Sequence, residues 1–168
     1  MHSLAAKMSP LQASNAVGAA LKALCNTNPS TGVFEQAHYP EPDYYTTTPG
    51  RPSAFIRFDG VVKDDWGLYR ELPEPYNSPS DLRYVIRIYH VLYAPAEEST
   101  SDTDSFIYAQ QKVTEGFDAF YVAMREDTTL NGLIMDTIFN GAIAGPLRDP
   151  RTSEDFFGME IVLITSLY

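Results

Sequence analysis

Cysteine is nearly absent: Cys25 stands alone among 168 residues. One thiol closes no internal disulfide, so a small secreted fold stapled by bridges is excluded. Cys25 continues an apolar helical pattern with Leu21 and Leu24, which predicts a buried, inert thiol. Histidine is scarce as well. His2, His38 and His90 stand far apart, and no paired cysteines accompany them, so the spacing of a metal site is missing. Asp64, Asp65, Asp102 and Asp104 lack the spacing of a calcium loop and read as solvated acids. The ten glycines are scattered rather than massed between a strand and a helix, so a phosphate-cradling loop is not indicated. A Gly-x-Ser-x-Gly elbow is also missing. Acidic pairs are numerous enough to arise by chance and identify no glycosidase. No catalytic residue, cofactor or metal is expected.

Basic residues are outnumbered 12 to 22 by acidic ones, giving a formal charge of −10. That balance repels phosphate backbones and anionic membrane surfaces, which argues against binding either. It suits solubility, and it also suits a wall past which DNA slides without sticking. No apolar run reaches the length of a membrane helix. Residues 1–8 lack the apolar stretch of a signal peptide, so the sequence predicts a protein that stays in the cytoplasm where it is made.

What is present is an ordinary globular composition, 44% apolar, with eleven Tyr and nine Phe. Tyrosine-rich surfaces serve as contacts and also simply suit β structure. The length fits one domain over residues 1–168. Ser9 and Pro10 cap and start a helix whose stripe is Leu11, Val17, Ala20, Leu21 and Leu24. Residues 26–52 hold seven Pro or Gly and read as a long extended loop with a short strand near 33–35; the aromatics Tyr39, Tyr44 and Tyr45 predict contacts there. Residues 53–62 form a strand that bulges or ends at Gly60, and 66–72 a second short strand before the turn-rich 73–80. Residues 83–93 are the clearest strand, apolar on both faces as a central strand covered twice would be; helices supply one cover and a neighbouring protomer is a candidate for the other.

An acidic loop at 94–105 carries Glu97, Glu98, Asp102 and Asp104. A helix to about residue 125 follows, with the stripe Phe106, Ala109, Val113, Phe117, Phe120, Tyr121 and Met124, and Gly116 allowing a close approach. Residues 130–132 stop that region with Gly132. Residues 133–144 are one strand bulged at Asn140-Gly141 or two short strands. A polar loop at 145–155 holds Arg148 and Arg151, and 156–168 is the closing strand. The fold class is α+β, a mainly antiparallel sheet with two principal helices packed on it and long Pro-rich loops.

This order of elements, from the helix over 11–24 through the strand over 84–93, the amphipathic helix over 106–124, the Leu130-Asn131-Gly132 turn and the closing strand from Phe157 to Tyr168, resembles the tail terminator, or tail-completion, proteins of long-tailed bacteriophages. The resemblance covers most of the chain as a pattern; segment 33–52 departs from it. It implies a non-catalytic structural virion protein forming a ring, a hexamer by analogy, at the head-proximal end of the tail tube. The ring would stop tube growth and dock to the head-tail connector. Its partners would be copies of itself, the tail tube protein and the connector, with DNA only as passing cargo, no membrane, and host cytoplasm as the site of assembly. Alternating acidic and basic loops suit head-to-tail ring contacts, so Tyr39, Tyr44, Tyr45, Glu97, Glu98, Asp102, Arg148 and Arg151 are the candidate interface residues. A neck, connector or minor tail protein is the alternative, and a small enzyme domain with a pocket near His38 the second.

Overall fold

The computed structural model describes residues 3–43, 48–61, 81–93, 102–149 and 152–167. A 3-10 turn at Ala5–Lys7 leads into α1, Pro10–Ala23. Four longer strands and a very short one follow, with a second helix between them: β1 (Ala37–His38), β2 (Ser53–Val61), β3 (Asp81–Val91), α2 (Asp102–Glu126), β4 (Asp136–Arg148) and β5 (Asp155–Ser166). The strands make one sheet in the order β1-β2-β3-β5-β4, antiparallel except for the β1–β2 pair. The fold is α+β, as the pattern of helical and alternating segments predicts.

Local chemistry sets the ends of the elements. Ser9 and Gln12 form a reciprocal capping box, the Gln12 N–H donating to Ser9 Oγ and the Ser9 N–H to Gln12 Oε1, and Pro10 takes the first helical position. After α2, Leu130, Asn131 and Gly132 all adopt positive φ, and Asp127 Oδ1 accepts from the Asn131 N–H at 2.8 Å. That left-handed run turns the chain into β4. Asn140 is the extra residue of a β4 bulge, so 136–148 is one bulged strand. Near Gly60 the β2–β3 register shifts as well.

Both helices pack on the same face of the sheet. Val17 and Leu21 of α1 and Val113, Phe120 and Met124 of α2 meet Ile56, Leu82, Tyr84, Ile86, Ile88, Ile161 and Leu163 in one continuous core. On the opposite face, Phe55, Tyr89 and Phe156 form a smaller ring cluster, with His38 stacked on Phe55. Val85 and Tyr89 on that face of β3 are already buried within the protomer. Around Val85 and Tyr89 the central strand therefore buries both its faces within the protomer, while Arg83 on the face opposite the helices stays exposed.

Several boundaries move. The short strand expected at 33–35 is found at Ala37–His38, because Phe34 and Glu35 instead direct their N–H groups to the Asn26 and Pro52 carbonyls. The polar loop expected at 145–155 loses both its ends to strands, β4 running to Arg148 and β5 starting at Asp155. Gly145 to Arg148 extend β4, since β5 offers a matching partner at every step down to Arg148 opposite Asp155. Asp102 is the first residue of α2 and not part of a loop. The strand expected at 66–72 and the break at 73–80 lie outside the described residues.

The segment 26–52, where described, is held down at many points. Arg51 donates to the carbonyls of Asn28 and Phe34 and pairs with Glu35. Tyr39 lays its ring directly against Gly18 of α1. The Ser14 carbonyl accepts from both Tyr39 Oη at 3.1 Å and Tyr84 Oη at 2.6 Å. Burial raises both phenol pKa values, so these hydroxyls remain donors.

Gly18→Ala tests this packing. In an exposed helix the change gains about 1 kcal/mol of propensity. Here the new Cβ meets the Tyr39 ring, and we expect a net loss of about 1–3 kcal/mol in urea denaturation. In the double variant with Tyr39→Ala the cost of Gly18→Ala should vanish; a stabilised single variant would show that the ring does not sit there.

Candidate docking surface

The face opposite the helices has two unlike halves. Over β2 and β3 it is ionic. Arg87 joins Glu160 (2.9 Å) and Glu41 (2.7 Å). Glu41 reaches on to Arg57 (3.8 Å), Arg57 to Asp59 (3.3 Å), and Asp59 to Arg83 (3.2 Å). Signs alternate along this zigzag, so each of its four inner charges lies between opposites. The extended run after β1 makes it possible: Tyr39 points to the helix face and Glu41, two residues later, reaches the other. Glu41 and Arg87 are the best shielded members, where a charge-assisted hydrogen bond is strongest.

Over β4 and β5 the same face is apolar and open. Pairing puts Ile138 beside Ile164, Ile143 beside Glu160 and Leu147 beside Phe156. Ile138 is 52% exposed, Ile143 76% and Leu147 38%. Ile164 and Val162 are half-buried beside them. Helix α2 packs on β3 and β5 and reaches β4 through the Tyr121–Phe139 ring contact, centroids 5.1 Å apart. From Gly141 to Ala144 both faces of β4 are exposed. β4 is also the last strand of the sheet, so among the described residues no strand pairs with its outer edge. A long edge strand with exposed isoleucines is a site where another chain adds or packs.

The predicted interface residues do not converge on this surface. Tyr39 is half-buried, its ring on α1 and its hydroxyl bonded to the Ser14 carbonyl and to Asn15 Oδ1. Arg148 lies at the end of β4, exposed, forking onto Asp155 at 2.8 and 3.2 Å. That fork closes the β4–β5 hairpin, raising the guanidinium's pKa and lowering the carboxyl's. Asp102 starts α2, across the sheet from the open face. Tyr44, Tyr45, Glu97, Glu98 and Arg151 lie outside the described residues. The isoleucines of β4 were visible in the sequence as strand residues, but a bulged strand hides which of them share a face.

The chemistry at His38 is modest. Its Nε2 pairs with Gln36 Oε1 at 3.0 Å, and it lines a concavity of about 690 Å³ with Lys22, Cys25 and Glu35. Desolvation, then the charge of Lys22, lowers its pKa. Burial pushes the Cys25 thiol up to about 12, so it remains protonated and unreactive. Among the described residues no cluster of three or more His, Cys, Asp or Glu is arranged to hold a metal. No described helix is long and apolar enough to cross a membrane. Compared with protein-family models and with curated proteins, the chain matches none.

Two substitutions separate surface from core. Ile143→Ser should change unfolding free energy by less than about 0.5 kcal/mol, because the side chain is already in water. Ile161→Ala, on the buried strand alongside, should cost about 2–5 kcal/mol. Urea titration of dilute protein reads both, and a large loss at Ile143 would mean that its face is covered within the protomer.

Proposed function

We propose that this protein is a structural assembly component of a long-tailed bacteriophage, the tail terminator, acting as a ring at the head-proximal end of the tail tube. The observation that carries the reading is the open apolar strand β4, with Ile138, Ile143 and Leu147 on a face that its own helices leave uncovered. Exposed apolar surface of this kind on an otherwise well-packed domain favours association. The element order supports the tail-protein assignment by resemblance. The charge of −10 fits a ring whose lumen must pass DNA without holding it. In this reading the ring works by shape and contact: one surface caps the last tube ring, another receives the connector, and the protomer contributes no reacting group.

The test is mass and location. Light scattering of concentrated protein, or of protein mixed with assembled tubes, should give a closed ring of roughly six copies, and labelled particles should show it between tail and head. The double variant Ile138→Lys, Ile143→Lys should remain folded yet lose the ring, since two desolvated charges oppose the contact. A protein that remains monomeric even with tail tubes, or whose charged variant assembles as well as the parent, would sink the reading.

A further inference from the structure

His90 lies near the end of β3, fully buried, on the face that meets α2. Both its ring nitrogens are engaged by backbone. The Gly50 N–H donates to Nε2 at 2.9 Å, and Nδ1 lies 2.6 Å from the Val91 carbonyl. A backbone amide can only donate, so Nε2 holds a lone pair. The one proton of the neutral ring is then on Nδ1 and is donated to Val91. This arrangement admits a single tautomer and a single charge state.

Gly50 is suited to its side of the contact. Its φ of +106°, open to glycine and costly for other residues, turns its N–H toward the ring. The next residue, Arg51, fastens the same segment to the Asn28 and Phe34 carbonyls. Arg51 and Pro52 are thus fixed independently, and the Gly50 end of segment 48–52 is tied to the central strand by the histidine lone pair.

We propose that His90 is a proton-operated latch that holds the Gly50 end of segment 48–52 on the end of the central strand while its ring is neutral and releases that end when the ring takes a second proton. The incoming proton, from hydronium or a buffer acid, binds the Nε2 lone pair. The Gly50 N–H then faces an N–H and loses its acceptor, and among the described residues no carboxylate is hydrogen-bonded to the buried imidazolium. Since the ring is closed off from water, protonation and release of the Gly50 end occur together.

Three described elements surround the His90 ring. From α2, the Tyr108 ring meets His90 edge-on at 5.7 Å, while Lys112 disfavours the imidazolium and Glu115 favours it; these two pair with each other at 3.4 Å. From segment 48–52, Arg51 directs its guanidinium away to Asn28, Phe34 and Glu35. On β5, His90 pairs with Phe157, which carries no charge. Burial is the largest influence and holds the pKa of His90 below its ordinary value, so the latch is closed at neutral pH.

The sign follows. Above the unfolded-state value of about 6.5 the neutral ring's contribution is fully present. It is lost as the pH falls from there toward the lower folded-state value, each unit within that window favouring the released form by about tenfold. Amide exchange at Gly50, corrected for its intrinsic pH dependence, should lose protection between neutral and mildly acidic buffer. His90→Gln, whose amide oxygen accepts but does not titrate, should keep protection flat, while His38→Gln leaves the acid step in place. Nitrogen chemical shifts of His90 in the unmodified protein serve if the variant does not fold: they should report the Nδ1–H tautomer at neutral pH. An Nε2–H tautomer, protection unchanged by acid, or an acid step that survives in His90→Gln would overturn the proposal.

Discussion

The two helices lie on one face of a five-stranded sheet, and between them they cover β2, β3 and β5 but leave most of β4 bare. Much of the molecule's surface character follows from that uneven cover. Where helices sit, alternate residues of three strands are buried in a continuous core. The opposite face must manage without a helical layer, and it does so differently along its width: a ring cluster and a zigzag of ion pairs over β2 and β3, bare isoleucines over β4. Hydrophobic burial needs a partner surface of matching area, and for β4 the described protomer does not contain one.

The ionic half has its own logic. Single exposed ion pairs add little stability. Six charges in alternating order, with Glu41 and Arg87 shielded at the middle, instead specify where the extended run after β1 lies. Glu41 can meet both Arg57 and Arg87 only if that run hugs the sheet edge, and Tyr39 then falls onto Gly18 on the other side. The contacts on the two faces are one constraint expressed twice, and they make a strap of what the sequence reads as a long extended loop with aromatic contacts.

The legible parts of the sequence were those with a period. The stripes of α1 and α2, the Ser9 cap and the alternation of β3 and β5 each give a local signal, and the structure places these elements within a few residues of expectation, although Leu11 (71%) and Tyr121 (38%), expected on the buried stripes, are exposed. The bulge at Asn140 was legible because Gly follows Asn in an apolar run. Three things were not. The β1 pairing depends on where Arg51 and Pro52 draw the chain, a long-range matter. The extension of β4 to Arg148 runs through Gly145 and Pro146, residues that locally argue for a loop. Polar loops and aromatics are what the sequence offers as contact residues, whereas the structure exposes aliphatic residues of an edge strand. Which strand is at the edge is a property of the sheet order, and no local pattern encodes it.

The chemistry of β4 bears on how a partner would meet it. Its ends carry Asp136 and Arg148, and Pro146 lacks an N–H with which to extend a ladder. The bulge at Asn140 breaks the regular alternation of donors and acceptors. These are the devices by which proteins discourage strand addition at an edge. None of them covers the side chains. Ile138, Ile143 and Leu147 point from the sheet face and not from its edge, so a partner gains most by packing across the pleat, with the backbone edge left to water. A contact of that kind, made by side-chain shape and not by a growing ladder, can close into a finite assembly, whereas continued strand addition favours open-ended aggregation. The strand is guarded along its edge and apolar on its face, and that combination fits a protein whose role is to join a structure and end it.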